Sequence, residues 1–206
     1  NAPVHAEGGV RATRDFALCL LTSPIPNNSG ITFESISTDA PYAVGSPVLL
    51  MGFGCTRVQA VRDANGVRRV VPSDNPSDPG GRLHFGDEVL SGRDATAVGL
   101  EPSGIYAFTL SQNNEEPVLC PGDSGGPVFL GASIERQTGP RRVIAVNSAV
   151  GLAPENGGGA ATFVSLLAPV ASADFARFVE QFERDHPRAM ICGRGDTIPG
   201  VGVCHA

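Results

Sequence analysis

The chain has 206 residues, of which 41% are hydrophobic and 17% are charged, and its formal net charge is −6. All fifteen basic residues are Arg, which excludes mechanisms that need a lysine of this chain, such as a Ser–Lys dyad, a Schiff base or a P-loop. No basic cluster is dense enough to indicate nucleic-acid binding, and no apolar run is long enough to span a membrane.

The pattern of apolar residues predicts a succession of short strands. An acid opens the first predicted strand, over residues 15–21, and a Pro/Asn-rich loop follows it. Residues 57–82 are rich in Arg, Asp, Pro and Gly and predict a long exposed loop, within which Asn65-Gly66 could form a hairpin. The other predicted strands lie at residues 31–33, 48–56, 83–90, 105–111, 127–131, 142–149 and 161–167. Many short strands with turn signals between them favour a β-barrel or a sandwich.

One amphipathic helix is predicted near the end of the chain, over residues 172–185. Its apolar residues fall at i, i+3, i+4 and i+7, and therefore on one helix face: Phe175, Phe178, Val179 and Phe182. Ser172 begins the helix as part of its N-terminal cap region, and His186 ends it together with the proline that follows. A Gly-rich tail that contains two Cys residues follows the helix.

The cysteine usage favours an exported protein. The chain has five Cys residues and no C-x-x-C pair, so disulfides are a better interpretation than a zinc site, and no metal ion is expected. Cys192 and Cys204 would close the tail on itself. Cys19 lies inside the apolar run of the first predicted strand and is most simply a buried free thiol. The protein is therefore expected to be secreted or periplasmic, where disulfides form.

Residues 120–127, Cys-Pro-Gly-Asp-Ser-Gly-Gly-Pro, carry the most specific chemistry of the chain. Ser124 sits among glycines, which allow a tight bend and let a substrate approach main-chain N–H groups. A hydroxyl on such a bend suits acyl transfer, because it places a nucleophile beside an oxyanion hole. The alternative is a Gly-rich turn between two strands with an incidental Ser.

This stretch resembles the nucleophile loop of the trypsin/chymotrypsin family of serine proteases, and the resemblance extends over nearly the whole chain. Four further segments resemble the family's acid-bearing segment, its Gly-Trp-Gly-x-Thr, its substrate-binding strand and its Gly-Val-Tyr-Thr, in that order: residues 15–18, 52–56, 146–150 and 161–164. The predicted C-terminal helix is also similar to the family's.

The resemblance implies an all-β fold, a chymotrypsin-like double β-barrel, of which this chain carries the second barrel and part of the first, with a C-terminal helix. A trypsin-like serine protease domain lacking its N-terminal segment would occupy residues 1–190. The Cys-containing C-terminal tail would occupy residues 191–206.

The resemblance also implies a serine endopeptidase that acts on protein or peptide substrates through an acyl-enzyme on Ser124 and needs no cofactor. Asp15 would orient the catalytic His, and the N–H groups of Gly122 and Ser124 would form the oxyanion hole. Asp123 would pair with the new N-terminus that activates a zymogen, or would bond nearby N–H groups as a turn acid.

The resemblance places the primary specificity pocket at Val118, Ser148, Val150 and Ala161. An apolar Val118 cannot pair with a substrate Arg or Lys, and burying that charge unpaired is costly. A small or medium apolar residue is therefore expected, although the glycines at 157–159 leave the alignment open to a shift of one or two positions.

The Cys that precedes the nucleophile loop also departs from the family pattern. The family often joins this Cys to one near the substrate-binding strand, but residues 121–191 contain none. The family places the 52–56 loop beside the nucleophile loop, so the resemblance makes Cys55 the expected partner of Cys120.

The catalytic His is missing from its expected position. The family's His precedes the acid by roughly 45 residues, whereas 14 residues precede Asp15 here. All four His residues are interpreted as surface or structural: His5, His84, His186 and His205. The chain is then the C-terminal chain of a cleaved protease with a His-bearing N-terminal partner chain, a fragmentary chain, or a catalytically inactive family member that binds proteins. The intact acid and serine favour the first two.

Overall fold

The computed structural model describes residues 15–23, 25, 33–38, 42–73, 81–100, 104–136, 139–154, 160–189, 191 and 193. This part of the chain is mostly β. Its elements are β1 (Ser35–Ile36), β2 (Pro47–Gly52), β3 (Val58–Arg62), β4 (Arg68–Pro72), β5 (His84–Val89), a 3₁₀ turn (Ala95–Val98), β6 (Ala107–Gln112), β7 (Pro127–Leu130), β8 (Arg142–Leu152), β9 (Thr162–Pro169) and α1 (Ala173–Asp185).

Seven strands form one curled, mostly antiparallel sheet in the order β5-β2-β7-β8-β9-β6, with the short β1 pairing in parallel with β8. The chain just after β5 meets β6 at a bridge between Gly92 and Phe108, so the curl brings the two ends of the sheet together. The main core is built by side chains of the sheet and its loops: Tyr42, Val48, Leu50, Leu90, Ala107, Leu119, Val128, Ile144, Ala145 and Leu167.

The sequence pattern correctly predicted most strands and the helix. The strand predictions from residue 48 onward, outside the 57–82 region, correspond to β2 and to β5–β9, and the helix begins after the cap residue Ser172. The Ser172 hydroxyl accepts the Phe175 N–H at 3.1 Å, and Phe175 and Val179 are buried. Of the strand predicted at 31–33, residues 31 and 32 lie outside the described residues.

The predicted hairpin through Asn65-Gly66 is confirmed as β3 and β4, but the prediction that the 57–82 region is exposed is wrong at Val58, which is buried. Gly66 has φ +78°, the left-handed conformation that this kind of turn needs. The Asp63 carboxylate accepts the N–H groups of Asn65 and Val67 and the Nε of Arg69, which fixes the turn. The 74–80 part of the predicted loop lies outside the described residues.

The strand predicted at 15–21 is also wrong. No strand of the described ranges pairs with this segment, and without backbone partners an apolar run does not make a strand. Phe16 packs instead on α1, with ring centroids 5.1 Å from Phe175 and 6.0 Å from Phe178. Cys19 is consequently an exposed free thiol and not a buried one.

Glu88 is a carboxyl group on the buried side of β5, with 8% of the residue exposed. One carboxylate oxygen accepts the Val89 N–H at 2.9 Å, and the other has no partner in the described part of the chain. Burial raises the pKa of Glu88 to about 7, with a smaller contribution in the same direction from Glu116, while the Val89 hydrogen bond opposes the rise.

The stability of the protein should therefore fall as pH rises from about 4.5 to 7. In this range the unfolded chain releases the Glu88 proton while the folded protein still holds it, which costs roughly 2–3 kcal/mol by pH 7. Urea unfolding at pH 5 and pH 7.5 measures the difference, which should shrink by that amount in the Glu88→Gln variant. Glu180→Gln, on the exposed face of α1, should behave as wild type. An unchanged pH dependence in Glu88→Gln would contradict the prediction.

Candidate active site

The Ser124 loop connects β6 to β7 and is shaped by its glycines. Gly122 and Gly125 have φ values of +106° and +86°, a region that favours glycine. A side chain on Gly126 would clash with the carbonyl oxygen of Met51 and press against the amide of Asn147. The tight bend expected from the sequence is therefore present, and Ser124 is exposed on it.

Ser148 brings the predicted acid and the predicted nucleophile to one place. Its hydroxyl donates a hydrogen bond to the Asp15 carboxylate, and its backbone carbonyl accepts one from the Ser124 hydroxyl at 3.2 Å. Ser148 is 133 positions from Asp15 and 24 from Ser124. Asp15 thus bonds the hydroxyl of Ser148, and Ser124 bonds its backbone carbonyl. Both Asp15 and Ser124 remain exposed to solvent.

A β-bulge positions Ser148 for this double contact. The register between β8 and β9 shifts between Asn147 and Ala149, which leaves Ser148 as the extra residue. A bulge breaks the strict alternation of side chains and re-aims the extra residue. Next to it, buried Asn147 donates its Nδ2 to the Met51 carbonyl at 2.8 Å and its backbone N–H to the Gly126 carbonyl at 2.8 Å. These bonds join β8 to β2 and to the Ser124 loop.

Within the described ranges, the N–H groups predicted to form the oxyanion hole have no internal acceptor. Those of Gly125 and Gly126 donate to the carbonyl oxygens of Asn147 and Asp123, at 2.9 and 3.0 Å. Those of Gly122 and Ser124 donate to no acceptor in the described ranges. Two neighbouring donors on the Ser124 loop are therefore free to bind an oxygen atom of a ligand.

Asp123 is buried and bonds nearby N–H groups, as the turn-acid alternative predicts. Its two carboxylate oxygens accept the N–H of Gly54 at 2.7 Å and that of Cys120 at 2.8 Å. A Cβ added to Gly54 would lie 2.7 Å from this carboxylate, so the close approach requires a glycine. Asp123 thus connects the Ser124 loop to the 52–56 loop. Its pairing with a new N-terminus stays a prediction.

The same two loops are joined by the Cys55–Cys120 disulfide, with 5.2 Å between the Cα atoms. This is the pairing that the resemblance implied. The other proposed disulfide partners, Cys192 and Cys204, lie outside the described residues.

Three of the four predicted pocket residues lie together. Val118, Val150 and Ala161 pack against one cluster, whose buried members are Val58, Cys120 and Phe163. Ser148, the fourth, lies at the bulge.

The sequence analysis did not identify Val58 or Asn147 as site residues. The signal for Asn147 was a polar residue inside an apolar strand. Nothing in the sequence distinguishes Val58 from other strand valines.

Neither described His lies at the serine. His84 is on β5 and lines an open cleft of about 220 Å³ together with Asp123 and Val118. The His186 ring stacks on Phe182 at the end of α1, with ring centroids 4.8 Å apart. Neither ring is hydrogen-bonded to Ser124 or Asp15 within the described part, and His5 and His205 lie outside it.

A search of the described side chains finds no group of three His, Cys, Asp or Glu residues that could hold a metal ion. Among the described residues, no helix has the length and apolar character needed to cross a membrane. A scan against protein-family models and a search of curated proteins each found no match for this chain.

Proposed function

We propose that this chain carries the nucleophile and the acid of a serine endopeptidase of the trypsin/chymotrypsin type. Its chymotrypsin-like double β-barrel and its triad would be completed by a His-bearing segment outside the described residues, such as an N-terminal chain of the same precursor. The observation that carries the proposal is that Asp15 and Ser124 both form a hydrogen bond with the same residue, Ser148.

In the proposed reaction the Ser124 oxygen attacks the carbonyl carbon of the scissile bond while its proton passes to the His. The carbonyl oxygen becomes an oxyanion and binds the N–H groups of Gly122 and Ser124. The His then gives the proton to the leaving amine, which departs and leaves an acyl group on Ser124. Water hydrolyses this acyl-enzyme by the same route and restores the serine. Asp15 holds the His in the correct tautomer and stabilises its protonated form.

The apolar pocket residues and the disulfide support two further parts of the proposal. Val118, Val150 and Ala161 offer no partner for a basic side chain, so the substrate residue before the scissile bond would be apolar. The Cys55–Cys120 disulfide fits an oxidising location, secreted or periplasmic.

A second candidate is a catalytically inactive member of the same family that binds proteins. It is favoured by the contacts of His84 and His186, because neither ring is hydrogen-bonded to Ser124 or Asp15 in the described part of the chain. Without a base, Ser124 would be a weak nucleophile.

Labelling by an alkyl fluorophosphonate separates the two candidates, because only an activated serine reacts quickly. The protein is purified with any N-terminal chain that accompanies it, labelled, and digested for mass spectrometry. The proposal expects one adduct, on the peptide that contains Ser124, which Ser124→Ala abolishes and Ser91→Ala, at an exposed serine outside the site, leaves intact. No adduct in a preparation that contains the His-bearing segment would favour the inactive binding protein.

A further inference from the structure

The inner face of the β3–β4 hairpin is inserted into the apolar cluster beside the Ser124 loop. Val58, at the start of β3, is 1% exposed and belongs to one buried cluster with Cys120 and Phe163. Ala60 and Val70 of the hairpin pack against the same cluster. The predicted pocket residues Val118, Val150 and Ala161 pack against this cluster too, which places the hairpin beside the predicted pocket.

Val58 is held in position from several sides. The Asn114 side chain accepts the Val58 N–H at 3.0 Å and donates to the Val58 carbonyl at 2.9 Å. Asn114 has φ +58°, an uncommon conformation that asparagine tolerates better than most residues. Three positions before Val58, the Cys55–Cys120 disulfide fastens the chain to the nucleophile loop. At the hairpin's other end, the Ser73 N–H donates to the Arg57 carbonyl at 3.0 Å.

The two hydrogen bonds from Asn114 and the adjacent disulfide hold the first residue of the hairpin in a fixed position. Protein interiors are close-packed, so a fully buried valine held in a fixed position leaves no room for a large substrate side chain. A difference of one methylene in a hydrophobic pocket is typically worth about 10- to 200-fold in kcat/KM.

We propose that Val58 sets the size limit of the specificity pocket, so that the enzyme cleaves after small residues of the size of Gly and Ala. This inference rests on the proposed function, and it narrows the preference for a small or medium apolar residue to small residues alone. Val58 is a specificity-determining residue in this proposal and takes no part in the chemistry.

The test compares wild type with Val58→Ala on peptides that differ only in the residue before the scissile bond: Ala, Val, Leu or Phe. Wild type should favour Ala over Leu at least 10-fold in kcat/KM, and Val58→Ala should reduce that ratio at least 10-fold. The matched control is Val61→Ala, on the same strand, half-buried and outside the cluster. If Val58→Ala fails to fold, Val70→Ala, which trims a less buried member of the cluster, should shift the ratio in the same direction.

Two results would overturn the inference while fluorophosphonate labelling of Ser124 shows an active serine. One is a wild-type preference for Leu or Phe, and the other is a Val58→Ala profile that equals that of Val61→Ala. If Ser124 is not labelled, the proposed function fails, and binding of xenon, followed by its NMR chemical shift, then tests the packing alone. Xenon that binds Val58→Ala but not wild type or Val61→Ala would support Val58 as the residue that fills the pocket. Equal binding to all three proteins would overturn it.

Discussion

Under the proposed function, replacing Asp15 by Asn is expected to lower kcat for peptide hydrolysis about 10⁴-fold. An amide has nearly the shape of a carboxylate and can still accept the hydrogen bond from Ser148, so the variant should fold as wild type. The amide is uncharged and accepts the imidazole N–H less strongly than the carboxylate does. The catalytic His then favours a tautomer that cannot take the Ser124 proton. The measurement is single-turnover and steady-state hydrolysis of a peptide with Ala before the scissile bond.

The matched control is Asp94→Asn, in which the amide keeps the ability to cap the 3₁₀ turn. That variant should retain wild-type kcat, since the Asp94 carboxylate accepts the Thr96 N–H at the start of the 3₁₀ turn. An Asp15→Asn enzyme that retained more than about a tenth of wild-type kcat would contradict the role assigned to Asp15. Its contact with Ser148 would then be structural.

Removing the Cys55–Cys120 disulfide by a double replacement with Ala is expected to lower the free energy of unfolding by about 4 kcal/mol. The two cysteines are separated by 65 positions, and releasing a loop of that length restores much conformational freedom to the unfolded chain. The loss is a large share of the stability of an ordinary domain, about 5–15 kcal/mol. Urea unfolding of the two proteins, followed by a signal common to both, measures the difference.

The control for the disulfide prediction is Cys19→Ser, which changes an exposed free thiol. It should alter the free energy of unfolding by no more than about 0.5 kcal/mol. Wild type treated with a reductant should match the double variant. A double variant as stable as Cys19→Ser would show that the loops are held by the bonds of Asp123 and by the apolar cluster without help from the disulfide.

The strands and the helix followed from local patterning. A period of two or of 3.6 residues reports which side chains face a core, and that information lies within a few neighbours along the chain. Helix α1 therefore began after its predicted cap, Ser172, and ended at His186. The strand prediction failed at residues 15–21, where no described segment pairs with the apolar run, because strand pairing depends on a second segment.

The candidate site could be predicted from the sequence only in part. The glycines around Ser124 indicated a tight bend, because their conformational freedom is a property of the residue type. The acid and the serine could be named from residues alone, but their common contact with Ser148 could not. That contact depends on a β-bulge that shifts the register by one residue, and no local signal in β8 marks where the shift occurs.

By itself, then, the sequence determined the mostly β architecture, the terminal helix, the glycine-bounded serine and the exclusion of lysine chemistry. Only the tertiary structure decided that Asp15 and Ser124 converge on Ser148, and that Val58 is bonded by Asn114 and buried in an apolar cluster. The physical reason is separation along the chain. These contacts join residues 24 to 133 positions apart, and side-chain periodicity carries no information over such distances.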